Sequence, residues 1–222
     1  MSGGIAKPPL IWIGCYSVLE TNTPTILAKD VKEGTNVATD ESKQATLVFY
    51  AEELSRFGFF ERPVIREHLK FATRLIATRI SQGRFVIPVD AEIAPEGRIC
   101  VFCSPTTTHD TTRVTVVVCL SNQYPDRILF ELLTQCHAKS QPTEEVITTL
   151  LTDYQCPEKS DSLHRIQQSL TDIHSTMIES IEKILQRGER IDLLVEKSTD
   201  LSASSRMFYK KAKSANSCCR VY

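Results

Sequence analysis

The sequence predicts an α+β chain in two parts: a five-stranded antiparallel sheet between one helix and a pair of helices, then one long heptad helix. Three observations carry this. Up to about Tyr154, runs of strand and helix character follow in the order strand–strand–helix–three strands–two helices. From Leu163 onward a 3.5-residue apolar repeat takes over, with no Pro and one Gly, Gly188. Charge changes as well: Asp161–Asp200 holds eight acids and five bases, whereas Leu201–Tyr222 holds no acid and five bases, Arg206, Lys210, Lys211, Lys213 and Arg220.

The first strand is Leu10–Val18 (LIWIGCYSV), apolar and rich in β-formers. A polar stretch, Lys29–Gln44, reads as a long loop before the second strand, Ala45–Ala51. Pro63 opens a helix over Pro63–Arg79, where Ile65, Leu69, Ala72, Leu75 and Ile76 recur at helical spacing. Arg84–Val89, Arg98–Ser104 and Val114–Leu120 are strands separated by turn formers, Pro95-Glu96-Gly97 among them. Pro125–Ala138 and Thr143–Tyr154 return to helix. The strand links without a helix are short enough for antiparallel hairpins. One helix then covers one sheet face and the last pair covers the other, a three-layer sandwich. The expected divisions are an extension (1–9), this domain (10–154), a linker (155–162), the heptad segment (163–215) and a tail (216–222).

Composition limits the function. The 222 residues are 41% hydrophobic and carry a net charge of −1, which suits a globular protein and argues against a general nucleic-acid binder. No run approaches the ~20 apolar residues that span a bilayer, and the first residues do not read as a secretory leader. The cytosol is the expected site of synthesis, so Cys15, Cys100, Cys103 and Cys119 read as reduced core residues in strands. Cys136-His137 and His109-Asp110 invite an enzymatic reading, but no phosphate loop, nucleophile elbow or metal spacing accompanies them. No catalysis, metal or cofactor is expected.

The heptad seam is Leu163, Ile166, Leu170, Ile173, Met177, Ser180, Ile184, Arg187, Ile191, Leu194, Ser198, Leu201, Ser205, Phe208, Ala212 and Ala215. As one helix it would be about 80 Å long, so packing on its own domain would require a break, which Gly188 and the serines permit. Arg187 is a charge within the seam. Two such residues would repel in a homodimer, whereas neutral acceptors such as Gln carbonyls on partner helices would satisfy the guanidinium. The chain ends in Cys218-Cys219-Arg220-Val221-Tyr222, a prenylation frame on Cys219 with a second thiol beside it. Two lipids anchor where one binds only reversibly, and each nearby basic residue adds about 1 kcal/mol at an anionic surface. Arg220 and Tyr222 depart from the usual frame.

The run Ser180–Leu201 (SIEKILQRGERIDLLVEKSTDL) resembles the central region of an R-type SNARE motif, with Arg187 at the ionic layer. Together with FGFFERP, SNQYPDR, YQCP and FYKKAKSANSCC, the chain resembles the prenylated longin R-SNAREs over nearly its whole length. The resemblance implies a profilin-like longin domain. It also implies a four-helix bundle with three Gln-SNARE helices that drives vesicle fusion, in which Met177, Ile173, Ile184, Ile191 and Leu194 form layers flanking Arg187. Prenyl on Cys219, acyl or a second prenyl on Cys218, and the basic residues would hold the membrane surface. The implied setting is the cytosol and the cytoplasmic face of Golgi, vesicles and endosomes, with trafficking chaperones and disassembly machinery as further partners. In such proteins the motif and lipid fold back on the longin surface, and Phe71 falls where an apolar residue holds that closed state. The competing reading is a lipid-anchored coiled-coil tether or trafficking adaptor without fusion activity, which has no need of Arg187.

Overall fold

The computed structural model describes residues 8–20, 43–89, 96–105, 111–138, 143–156, 176–185 and 189–218. Its first part is β1 (Leu10–Glu20), β2 (Lys43–Glu52), α1 (Arg62–Arg79), β3 (Gly83–Pro88), β4 (Arg98–Pro105), β5 (Thr111–Cys119), α2 (Asp126–Ala138) and α3 (Glu144–Asp153). These fall on the runs named above, shifted by a few residues at their ends. The five strands pair antiparallel as β2-β1-β5-β4-β3.

Alternation along the strands supplies two cores. On one face, Trp12, Tyr16, Phe85, Ile87, Val101 and Val116 pack with Ile76, Ala77 and Ile80 from α1 and its end. On the other, Leu10, Ile13, Cys100 and Val117 pack with Leu129, Leu132 and Leu133 of α2 and Ile147 and Leu151 of α3. The expected three layers are therefore present. Gly14 is required between them, because a Cβ there would lie 2.7 Å from the Trp12 indole nitrogen. Gly83 takes φ +138°, which side chains rarely adopt, and lets α1 turn directly into β3.

The quoted motifs fasten element ends. The Gly58 N–H donates to Glu61 Oε2 at 2.8 Å, setting the turn into α1. Arg98 donates to the Ser121 carbonyl at 2.6 Å and pairs with Asp126 at 2.7 Å, tying β4 to the start of α2. The Gln155 amide accepts from the Leu10 N–H at 3.2 Å and donates to the Leu10 carbonyl at 2.8 Å, so the chain leaving α3 is clamped to β1.

Beyond α3 the structure departs from one continuous heptad helix. The described part of the segment is β6 (Thr176–Ile178), α4 (Ile181–Ile184), α5 (Ile191–Lys197) and α6 (Ala203–Cys218). β6 adds a sixth strand, parallel to β3. Leu185 and Ser198 return to extended backbone (φ −69°, ψ 138° and φ −65°, ψ 133°) and separate the helices. The physical reason is burial. An apolar seam without partner helices must be covered, and a straight helix of about 80 Å cannot follow the surface of a domain this size.

Tyr16 and Thr73 join the sheet to α1 through a buried 2.6 Å hydroxyl pair, and Thr73 also donates to the Leu69 carbonyl at 2.6 Å. Tyr16 is therefore the donor of that pair. Thr73→Val leaves a buried phenol without an acceptor and should cost about 1–3 kcal/mol in urea unfolding. Tyr16→Phe in the Thr73→Val background should recover most of that loss.

Candidate functional site

The surface formed by α1 and the β3 edge holds the C-terminal segment. It begins with pairing of Arg84, Phe85 and Val86 to Thr176, Met177 and Ile178, and continues with the Glu179 N–H donating to the Val86 carbonyl at 2.9 Å. Ser180 then caps α4 by accepting from the Lys183 N–H. That turn places Ile184, 9% exposed, in the core cluster with Ile76, Ala77, Ile80 and Phe85, and Ile181 packs beside it. Burying one such side chain contributes about 1.5–3 kcal/mol.

Next comes a buried ion pair. Arg79 of α1 donates to Glu189 at 2.6 Å, with side chains 8% and 1% exposed. Such a pair is held by mutual satisfaction: removing one partner leaves an uncompensated charge. Farther along, Arg74 pairs with Asp200 at 3.1 Å, and the Ser202 N–H donates to Glu67 at 2.7 Å. His68 meets the Phe208 ring edge-on at 6.2 Å between centroids. The segment thus travels along α1 from its C-terminal end toward its N-terminal end.

α6 then turns back along α5. Asp192 accepts from Lys213 at 2.5 Å and from the Tyr209 hydroxyl at 3.2 Å, and Lys210 pairs with Glu196 at 2.8 Å. The Lys213 hydrogen bond holds the Asp192 carboxyl below the usual range. Burial works against the Glu67 carboxylate, but hydrogen bonds from Ser205 and Ser202 outweigh it and hold its pKa low.

Several seam residues lie here. Ile184 is 9% exposed, Leu201 3% and Ser205 0%. Ile191 and Leu194 are half-buried, while Met177 and Phe208 are exposed. Phe71 is half-buried and belongs to neither core cluster. It stands on α1 between Glu67 and Arg74, at helical spacings that share one face with these two segment contacts. Arg187, Ile173 and Cys219 lie outside the described residues, and of Cys218 only the backbone, at the end of α6, is described. Residue patterns missed Glu67, His68, Arg74 and Arg79 on α1, and Glu189, Asp192 and Asp200 on the segment. Charged positions off a seam read as solvated faces, and only the fold supplies their partners.

The groups that invited enzymatic readings are placed otherwise. Cys136 is fully buried among α2 and α3 residues, whereas the His137 ring sits on Phe102 and bonds Ser104 Oγ at 2.5 Å. Burial, helped by Arg113, pushes His137 down to about 4. Cys100 and Cys103 have C-x-x-C spacing, but Cys100 lies in the α2/α3 core and Cys103 in the α1 core. Burial pushes the Cys103 thiol up to about 11 and the Cys100 thiol up to about 12. His109-Asp110 lies outside the described residues. Among the described residues, no group of three His, Cys, Asp or Glu could hold a metal, and no helix is long and apolar enough to cross a membrane.

An α/β/α sandwich with a heptad segment folded along α1 defines a longin-type SNARE architecture. Comparison with known proteins agrees: residues 162–220 match the synaptobrevin family. The chain is 35% identical over 184 residues to a synaptobrevin homolog YKT6 of Eremothecium gossypii, covering 77% of this chain and 89% of that protein. It is 33% identical over 195 residues to the Saccharomyces cerevisiae synaptobrevin homolog YKT6, covering 77% and 88%. It is 31% identical over 198 residues to the VAMP-like protein YKT61 of Arabidopsis thaliana, covering 82% and 93%. The chain belongs to the YKT6 family of synaptobrevin-related longin R-SNAREs, structural proteins of vesicle trafficking.

Two outcomes follow from these contacts. Glu189→Ala should cost the folded-back form about 3–5 kcal/mol by stranding Arg79, read as faster hydrogen exchange over 176–185 and 189–213. Arg79→Met with Glu189→Leu should restore protection. Glu67 and Asp192 have lowered pKa values when folded back, so their contribution is complete above ordinary carboxylate values of 4.5 and 3.8. It is lost as pH falls through the lowered values. Exchange over 191–213 should accordingly rise on acidification before exchange in β1 and β5 does.

Proposed function

We propose that this chain drives vesicle fusion by contributing the Arg187 helix to a four-helix bundle with three Gln-SNARE helices, and that the folded-back form withholds it. The observation that supports this best is the burial of Ile184 in the α1 core cluster, with Leu201 and Ser205 buried beside the contacts to Arg74 and Glu67 of α1. The bundle needs the same seam. One apolar face cannot be covered twice, so fold-back and assembly exclude each other. Arg187 would set the register of the bundle through Gln acceptors, with Ile173, Met177, Ile184, Ile191 and Leu194 in the layers around it. Once the segment is released, prenyl on Cys219 and acyl or a second prenyl on Cys218 would hold the chain on the cytoplasmic face of endomembranes. Chaperones would shelter the lipids, and disassembly machinery would recycle the bundle.

The test is helicity by circular dichroism on mixing with three Gln-SNARE segments. Residues 155–222 alone should show a large cooperative gain, and the full unlipidated chain a smaller or slower one. Ile184→Asp would not serve as an opening variant here, since it damages both states. Phe71→Glu leaves the seam intact and should speed assembly. In cells the same variant should move the protein from cytosol toward membranes, and an unchanged distribution would count against a role for Phe71 in closure. Arg187→Ala should weaken assembly, whereas a mere tether would be indifferent to it.

A further inference from the structure

The stretch from Leu201 to Tyr222 holds five bases and no acid, yet in the folded-back form three of those bases are already engaged. Arg206, Lys210 and Lys213 stand at helical positions i, i+4 and i+7 of α6 and share one face. That face is turned to α5 and the residue that follows it. Arg206 donates to the Ser198 carbonyl at 2.7 Å, Lys210 pairs with Glu196 at 2.8 Å, and Lys213 donates to Asp192 at 2.5 Å. The Tyr209 hydroxyl also bonds Asp192. Lys211 stands off this face and is exposed. Asp192 and Glu196 are themselves one turn apart on α5, so two carboxylates meet the basic face side by side.

We propose that α5 and α6 form an electrostatic latch opened by an anionic membrane surface, whose headgroups compete with Asp192 and Glu196 for the basic face of α6. Charge and length select that occupant. The three bases span about 10 Å along the helix, so a single small anion cannot meet them all, whereas an extended anionic surface can. Position agrees: α6 ends at Cys218, so a lipid on either cysteine would set this helix at the headgroups. The membrane anchoring in that argument rests on the proposed function.

The latch is built to yield to such a competitor. Lys210 and Glu196 are both more than half exposed, and so is Lys213. The two pairs line a cleft of about 370 Å³ between the helices. Ion pairs this open to water hold weakly and are screened by salt. The Arg79–Glu189 pair is buried, out of reach of headgroups. Opening therefore starts at α6. Lifting α6 from α5 also strains the contacts of Ser205 to Glu67 and of Phe208 to His68, which uncovers the seam from its C-terminal end. Arrival at a membrane and release of the seam become one event.

The experiment is flotation of the unlipidated full chain with vesicles of phosphatidylcholine, with and without roughly one-third phosphatidylserine. Binding is expected only with phosphatidylserine, and it should fall as salt rises. Asp192→Asn with Glu196→Gln should tighten it roughly fivefold or more, because the internal competitor is gone. Glu144→Gln with Glu145→Gln removes the same charge from exposed positions on α3 and should change it by less than about twofold. The near-ultraviolet signal of buried Trp12 reports that each variant is folded. Hydrogen exchange over 191–197 should quicken on phosphatidylserine vesicles, and stay unchanged on phosphatidylcholine or in phosphate buffer of equal ionic strength. Equal binding with and without the two α5 acids would overturn the latch, as would binding that leaves exchange over 191–197 unchanged. Absence of binding by both the parent chain and the α5 variant would overturn it too. Quickening by phosphate alone would mark a small-anion site, and quickening by poly-glutamate but not by vesicles would assign the face to an acidic protein. Either result would replace the membrane as the occupant. No partner helix is present in these measurements, so failure to form a bundle would leave their result standing.

Discussion

One apolar seam must be covered, and the described residues beyond the end of α3 are arranged around that need. Ile184 leaves water in the core cluster under α1, and Leu201 and Ser205 are buried where the segment meets Arg74 and Glu67. Water penalises an uncovered seam of this length strongly enough that the segment gives up helical continuity to follow the curved surface of α1 and β3. The breaks at Leu185 and Ser198 are the conformational cost, and Ser180 offsets part of it by capping α4.

Apolar burial is non-directional, so it does not by itself fix where the segment lies. The polar contacts do. The Arg79–Glu189 pair admits one alignment of segment and α1, because any slip would strand two charges in a site where each is less than a tenth exposed. Arg74–Asp200 and the Glu67 cap on the start of α6 repeat that choice farther along. Ladder bonds between β3 and β6 set it at the beginning. These interactions belong to the folded-back form alone, since Glu189, Asp192 and Asp200 all lie off the seam that a bundle would use. Release would therefore give up these polar contacts along with the burial of Ile184, Leu201 and Ser205.

The domain beneath is built as a rigid support. Gln155 fixes the exit from α3 to the first residue of β1, and Arg98 fixes β4 to the loop before α2. Groups that could have carried chemistry are spent on packing: the thiols of Cys100 and Cys103 face opposite cores, and burial keeps His137 neutral.

The sequence alone determined the five antiparallel strands, the three helices packed on them, the three layers and the seam, because each is written in local periodicity. Leu10–Val18 and Val114–Leu120 read as strands wherever they pack, and Ile65, Leu69 and Ile76 give α1 its inward face. The state of the seam was decided by tertiary structure. A 3.5-residue repeat is satisfied by partner helices or by a fold-back surface, and nothing local distinguishes the two. For the same reason β6 was not legible: Thr176–Ile178 continues the heptads, and only the open edge of β3 makes it a strand. Glu67, Arg74, Arg79 and Glu189 read as solvated charges because the partner of a charge is set by the fold, across 110 residues in the case of Arg79 and Glu189. The register shift between β1 and β2 at Cys15–Tyr16 likewise arises from pairing and is invisible in either strand alone.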